Sequence, residues 1–236
     1  MKNTTKNQNL AIIFLIIMII TVVVPVSILG AKFDFPDILR QPAANAFALF
    51  KENQSSIVFG YYIFLISSLL FIPLSYLFQR IFFQTQNKIA LNMLVGLGIT
   101  TAIFQCIGFV RWIFVMPFLT ENYYENPENQ KTIELIYETL NRFLGMSVGE
   151  HLGFMAMGLW TICLGCILLE HPKFKLWVAF SGIPIGAMLI ISLGEHFGGA
   201  FASIFGTFNF FANTLWSIWL AVIAFFIFKM RTNTGS

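Results

Sequence analysis

Charge is what this sequence has least of: 11% of its 236 residues are Asp, Glu, Lys or Arg, where a soluble domain carries about 25%. That scarcity excludes an ordinary soluble globule. Disorder is excluded as well, because 57% of the residues are apolar and 28 are Phe. Fourteen basic and eleven acidic side chains give a net charge of +3, too balanced for a nucleic-acid partner. Only three cysteines occur, at 106, 163 and 166, so there is no disulfide framework. The sequence also lacks a glycine-rich phosphate loop, a Gly-x-Ser-x-Gly elbow and a nucleotide-binding half, so a nucleotide-driven pump would need a partner chain. What is present, at a mean hydropathy of +0.77, is the composition of an integral membrane protein.

A spanning helix needs about 20 mostly apolar residues, and six segments qualify: 10–29, 57–78, 89–110, 143–169, 176–194 and 205–228. Lys2 and Lys6 before the first give it the look of a secretory signal. Its length and the five spans that follow make it a retained anchor. The expected fold is all-α, a six-helix transmembrane bundle forming a single membrane domain over residues 1–236. With the N-terminus inside, the inner segments hold eight Lys and Arg and one carboxylate, Glu170, while the outer loops hold five Lys and Arg and eight carboxylates. The positive-inside rule therefore predicts N-in, C-in. Tyr76 and Trp177 would mark the inner rim, and Tyr61, Tyr62, Trp112, Tyr123 and Tyr124 the outer.

Both long loops then lie outside, and each predicts an amphipathic helix. Over 126–142, Asn126 is placed to cap and Pro127 suits the first turn; Ile133, Ile136, Tyr137, Leu140 and Phe143 share one face. Glu134, Glu138 and Arg142 share the other. Over 36–51, Phe47 and Phe50 suggest a second interfacial helix interrupted by Pro42.

Ionisable residues at membrane depth face the bundle and pair, because a central charge costs roughly 2.5–3.5 kcal/mol on insertion scales. Here Arg111 ends the third span, Glu150 and His151 lie two turns into the fourth, and Glu195 and His196 close the fifth. All five reach similar depth at the outer end. Arg111 cannot shed its proton, so a carboxylate partner is expected: Glu150 first, Glu195 second. An ion-pair cluster with His151 able to titrate near neutral pH is one reading. The alternative places zinc or another transition metal on His151 and His196 with Glu150 or Glu195, although no His-x-x-x-His or Glu-x-x-His spacing supports it.

Gly145, Gly149 and Gly153 recur every four residues, as do Gly182 and Gly186, a spacing that lets helices approach closely and also suits a homo-oligomer. Gly198, Gly199, Ala200 and Ala202 predict a small, tight outer turn. Cys163 and Cys166 form a C-x-x-C, but inside an apolar helix they read as filler. His171 follows Glu170 in a short basic inner loop, a position at the level of anionic headgroups.

Ile38-Leu39-Arg40-Gln41-Pro42-Ala43, Arg111-Trp112, Gly149-Glu150-His151-Leu152-Gly153, Leu159-Trp160-Thr161 and Leu215-Trp216-Ser217 occur in that order. In order and spacing the chain resembles the bacterial domain-of-unknown-function 4386 family of multi-span membrane proteins. The resemblance implies a small protein of a bacterial inner membrane with no assigned activity. It adds Arg40 to Arg111, Glu150 and His151 as residues to question; Glu195-His196 has no place in the family pattern. The first expectation is a non-enzymatic protein, without a resident cofactor, that binds a small ligand, membrane lipid or partner helix at the outer cluster. The alternative is a membrane-embedded metal-dependent hydrolase or redox enzyme. A secondary transporter is less favoured, since no inverted repeat is visible.

Overall fold

The computed structural model describes residues 2–83, 87–198 and 202–232, and among these every regular element is helical. The α-helices are α1 (Lys2–Phe33), α2 (Ala43–Leu69), α3 (Phe71–Ile81), α4 (Lys88–Val110), α5 (Met116–Glu125), α6 (Gln130–Leu140), α7 (Gly153–Leu169), α8 (Leu176–Ile191) and α9 (Ala202–Thr232). Widened π-helical segments, Arg111–Val115 and Asn141–Leu152, join α4 to α5 and α6 to α7 without a break. Tight 3-10 turns occupy Asp37–Arg40, Pro127–Asn129 and Ser192–Phe197.

End-to-end continuation produces six rods long and apolar enough to cross a membrane, Thr4–Phe33, Ala43–Ile81, Lys88–Glu125, Pro127–Leu169, Leu176–Phe197 and Ile204–Arg231. Large apolar side chains face outward along them, among them Ile16, Ile20, Phe114, Phe180 and Phe225. In water such a surface would be untenable, whereas lipid is its natural solvent. The chain is a multi-pass membrane protein.

The two chain ends meet, because Arg231 Nη1 donates to Asn9 Oδ1 at 2.9 Å. Phe33 lies about 36 Å further along α1 at 1.5 Å per residue, at the opposite, distal end of the bundle. Along the middle of the bundle the core is knit by buried indoles that have found acceptors: Trp160 donates to Ser75 Oγ at 2.8 Å and Trp216 to Thr161 Oγ1 at 3.0 Å. Both tryptophans belong to the motifs that suggested the family, and both are packing residues. At the distal end a separate aromatic cluster gathers Phe33, Phe47, Tyr61, Trp112, Tyr123 and Tyr137.

That cluster corrects the expected outer aromatic belt. Tyr62 and Tyr124 face outward, but Tyr61, Trp112 and Tyr123 are buried. It also explains why the 36–51 segment is not a separate interfacial helix. Pro42 starts α2 instead of interrupting a helix, and Ala46, Phe47 and Phe50 are completely buried. Phe47 stacks on Tyr123 with ring centres 4.6 Å apart. Irregular backbone at Asn53 (φ −123°, ψ 23°) kinks α2 where this capping part meets the crossing part.

The 126–142 segment is likewise continuous with its span. Asn126 does not cap it; its side chain donates to the Asn122 carbonyl at 3.2 Å. Ile133 and Tyr137 face inward as expected, whereas Ile136, on α6, and Phe143, in the π-helical segment, face outward. The Glu138–Arg142 pair forms at 3.7 Å. Of the small outer turn, Gly199 and Ala200 lie outside the described residues.

Helix contacts follow the glycines. At Gly149 an added Cβ would sit 2.7 Å from the Gly108 Cα, so α4 and the π segment touch backbone to backbone.

Candidate functional site

The chain between α1 and α2 folds back over the distal end as a strap. Asp34 takes a left-handed conformation (φ 51°), and its carboxylate accepts from Gln41 Nε2 at 2.9 Å, closing the strap on itself. The 3-10 turn Asp37–Arg40 then aims Arg40 at the bundle. Its Nη2 lies 2.7 Å from Glu150 Oε2, and its Nε donates to Glu195 Oε1 at 3.1 Å. One loop cation therefore joins two spans that are 45 residues apart in sequence at these positions.

Local structure places both carboxylates there. Glu150 sits in the Asn141–Leu152 π segment, a widened geometry that recurs at functional sites. Glu195 sits in the 3-10 turn that ends the fifth rod. His196 Nε2 is 4.0 Å from Glu150 Oε2, and the His151 and His196 rings are 5.5 Å apart. Side-chain exposure is 34% for Arg40, 21% for Glu150, 22% for Glu195 and 18% for His196, so the cluster is partly covered yet reachable. Burial pulls the Arg40 pKa down, but Glu150 and Glu195 outweigh it and the net shift is upward. Arg40 stays charged.

The structure thus brings together Arg40, Glu150, His151, Glu195 and His196. Arg111 is not the partner of either glutamate, which corrects the expected pairing. It is buried between α4 and the Asn141–Leu152 segment, where Nη2 donates to Asn141 Oδ1 at 3.0 Å and Nη1 donates to the Gly108 carbonyl. Gly145 makes room for it, since a Cβ there would collide with the guanidinium. Both carboxylates are taken by Arg40, which reaches them from the strap side while Arg111 lies deeper.

Asn141 links the two arginines: its Nδ2 donates to the Leu39 carbonyl at 3.2 Å, one residue before Arg40. Sequence reasoning missed this residue. The signal was there, because Asn141 follows Ile133 and Tyr137 at four-residue intervals and so is a polar side chain on an apolar face. Tyr61 and Tyr137 were read only as rim or face residues, yet both hydroxyls are buried beside Arg111.

Among the described residues no three His, Cys, Asp or Glu side chains gather closely enough to hold a metal ion. Cys163 and Cys166 are both free thiols; Cys163 donates to the Ala90 carbonyl at 3.2 Å and Cys166 is exposed on the rod surface.

A family model described as a domain of unknown function (DUF4386) matches residues 10–226, nearly the whole chain. No curated protein and no solved structure matches it.

Proposed function

The chain belongs to the DUF4386 family, and we propose that it is a binding protein that recognises a zwitterionic phospholipid headgroup through Arg40, Glu150 and Glu195. The reading rests on one observation: a single guanidinium is shared by two carboxylates from separate spans while a third of it stays exposed. As a stabilising device such a pair returns little, because the cost of desolvating the charges offsets much of their attraction. Here Glu195 lies in the 3-10 turn that ends the fifth rod, with Glu150 beside it across Arg40, and the proposed topology would put this cluster at headgroup depth. A phosphate would take the Arg40 fork, which suits bidentate oxygen acceptors. The displaced carboxylates would then receive the ligand's ammonium, with His196 and His151 as neighbouring hydrogen-bonding groups.

The distribution of Lys and Arg supports both termini inside and the cluster on the outer face; a bacterial cytoplasmic membrane is what the family resemblance implies. The test is native mass spectrometry of the protein released from vesicles that mix phosphatidylethanolamine with phosphatidylglycerol. Retention of phosphatidylethanolamine by the native chain, lost in Arg40→Gln and in Glu150→Gln, is the expected result. Equal retention of both lipids by all three proteins overturns the proposal.

A further inference from the structure

At the end of the bundle that holds the termini, away from the strap, a groove of about 520 Å³ runs where the start of α8 meets α9. One side is a face of α9, on which Ile218, Val222, Phe225 and Lys229 follow one another at helical spacing. From Ile218 to Lys229 that face extends about 16 Å at 1.5 Å per residue, roughly one leaflet of a hydrocarbon core about 30 Å thick. Trp177, in the first turn of α8, forms the facing wall, and Lys175 stands immediately before that helix. The walls are fixed by packing. Trp177 meets Phe226 edge-on at 6.4 Å, and Phe226 stacks on Phe174 at 5.6 Å. Trp219 Nε1 donates to the Val178 carbonyl at 2.8 Å, which holds α9 against the start of α8.

This face belongs to the surface that lipid covers, since Trp177, Ile218 and Phe225 are all exposed on the rods. Lipid chains touch such side chains anywhere along a span. Here the apolar stripe also ends in two cations, Lys175 and Lys229, contributed by separate helices, and no acidic side chain lines the groove. A lysine at a helix end lays its methylenes along apolar surface and keeps its ammonium at headgroup level. Basic pockets of this kind between spans suit anionic headgroups. Two neighbouring ammoniums attract a phosphate and repel the ammonium of a zwitterionic headgroup, so they select for net negative charge.

We propose that the groove is a binding site for an anionic phospholipid. One acyl chain lies along Ile218, Val222 and Phe225 against Trp177, and Lys175 and Lys229 hold the phosphate. The site stands at the opposite end of the bundle from the Arg40 cluster and selects the opposite kind of headgroup, so it does not depend on what that cluster binds.

Trp177 reports on the groove, because Trp112, Trp160, Trp216 and Trp219 are all buried. The full-length chain is reconstituted into phosphatidylcholine vesicles holding a minor share of phosphatidylglycerol. Brominated chains, which quench indole fluorescence on contact, are carried either by the phosphatidylglycerol or by an equal amount of the phosphatidylcholine. Quenching should be stronger from phosphatidylglycerol, with a preference of about 25-fold, or about fivefold for each lysine near the surface. Lys175→Gln should lose about fivefold of that preference, and Lys175→Gln with Lys229→Gln all of it. Ala221 lines the groove and is exposed, so Ala221→Phe fills the groove, leaves both charges in place and should also remove the preference. Equal quenching by the two lipids in the native chain overturns the inference. So does a preference that survives Ala221→Phe, because the lipid would then be drawn by surface charge without entering the groove.

Discussion

Asn141 accepts from Arg111 on one side and donates to the Leu39 carbonyl on the other, at 3.0 and 3.2 Å. A single amide thus joins a buried cation to the strap that carries Arg40. The two bonds make different demands, and substitution can separate them.

Asn141→Leu removes both bonds and should cost about 1–3 kcal/mol, the usual penalty for stranding buried polar partners. Asn141→Asp keeps an acceptor for Arg111, now charged, but can no longer donate to Leu39. Its melting midpoint should stay at or above that of the native chain while amide exchange in residues 34–41 speeds up. Midpoint and exchange moving together in both variants would mean that Asn141 acts as one unit and the strap has no separate tether.

The Arg40 cluster makes a complementary prediction. Arg40→Gln leaves Glu150 and Glu195 facing each other without a cation and should destabilise by about 1–3 kcal/mol, between the exposed and buried ion-pair ranges. Adding Glu150→Gln and Glu195→Gln to it should restore most of that loss. Glu150→Gln should not rescue Arg111→Gln, because Arg111 pairs with Asn141 and Gly108. Thermal unfolding of the five proteins in one detergent decides it; rescue of Arg111→Gln by Glu150→Gln would return the ion pair to Arg111.

How far the sequence carried is visible in these residues. Hydropathy located all six rods, because span length is set by the bilayer and leaves little freedom. It underestimated the third and fourth, which run on as Lys88–Glu125 and Pro127–Leu169 through π-helical segments. Such segments have no propensity signature. Depth counting correctly put Glu150, His151, Glu195 and His196 at one end, where His196 comes within 4.0 Å of Glu150. Pairing was not legible, since helix depth says nothing about azimuth. It also says nothing of a loop folding back, and so Arg40, outside the spans, took the carboxylates that had been assigned to Arg111.

His171, at the end of the bundle that holds the termini, predicts a pH effect. Its ring packs against Phe82 and Phe174, with centres 5.3 and 5.7 Å away. Burial first, and Lys173 second, hold its pKa below the usual 6.5. The unfolded chain therefore binds this proton more readily than the native one. The contribution is complete above pH 6.5 and is lost as pH falls toward the lower native value. Between about pH 8 and about pH 5.5 the native chain should lose more stability than His171→Phe, which keeps the aromatic packing and cannot titrate. The difference between the two pH slopes isolates His171 from His151 and His196. Parallel slopes would mean that its proton equilibrium does not change on folding.

The last prediction concerns how tightly the rods can close. Gly149→Ala places a methyl 2.7 Å from the Gly108 Cα, a contact no rotamer change can relieve because Cβ is fixed to its own backbone and the atom it meets is backbone. The third and fourth rods must separate. Overpacking of this kind costs about 1–3 kcal/mol, and here it also shifts the π segment that carries Glu150, loosening Arg40 from its partners. Gly96→Ala on α4 is the control, since nothing lies within 4 Å of the added carbon. Replacing a helical glycine in open space should be neutral or stabilising by about 0.5–1 kcal/mol. Opposite signs for the two substitutions would tie the site's geometry to one backbone contact. Equal and small effects would mean that the bundle has slack at Gly149, and that the Arg40 cluster is positioned by the strap alone.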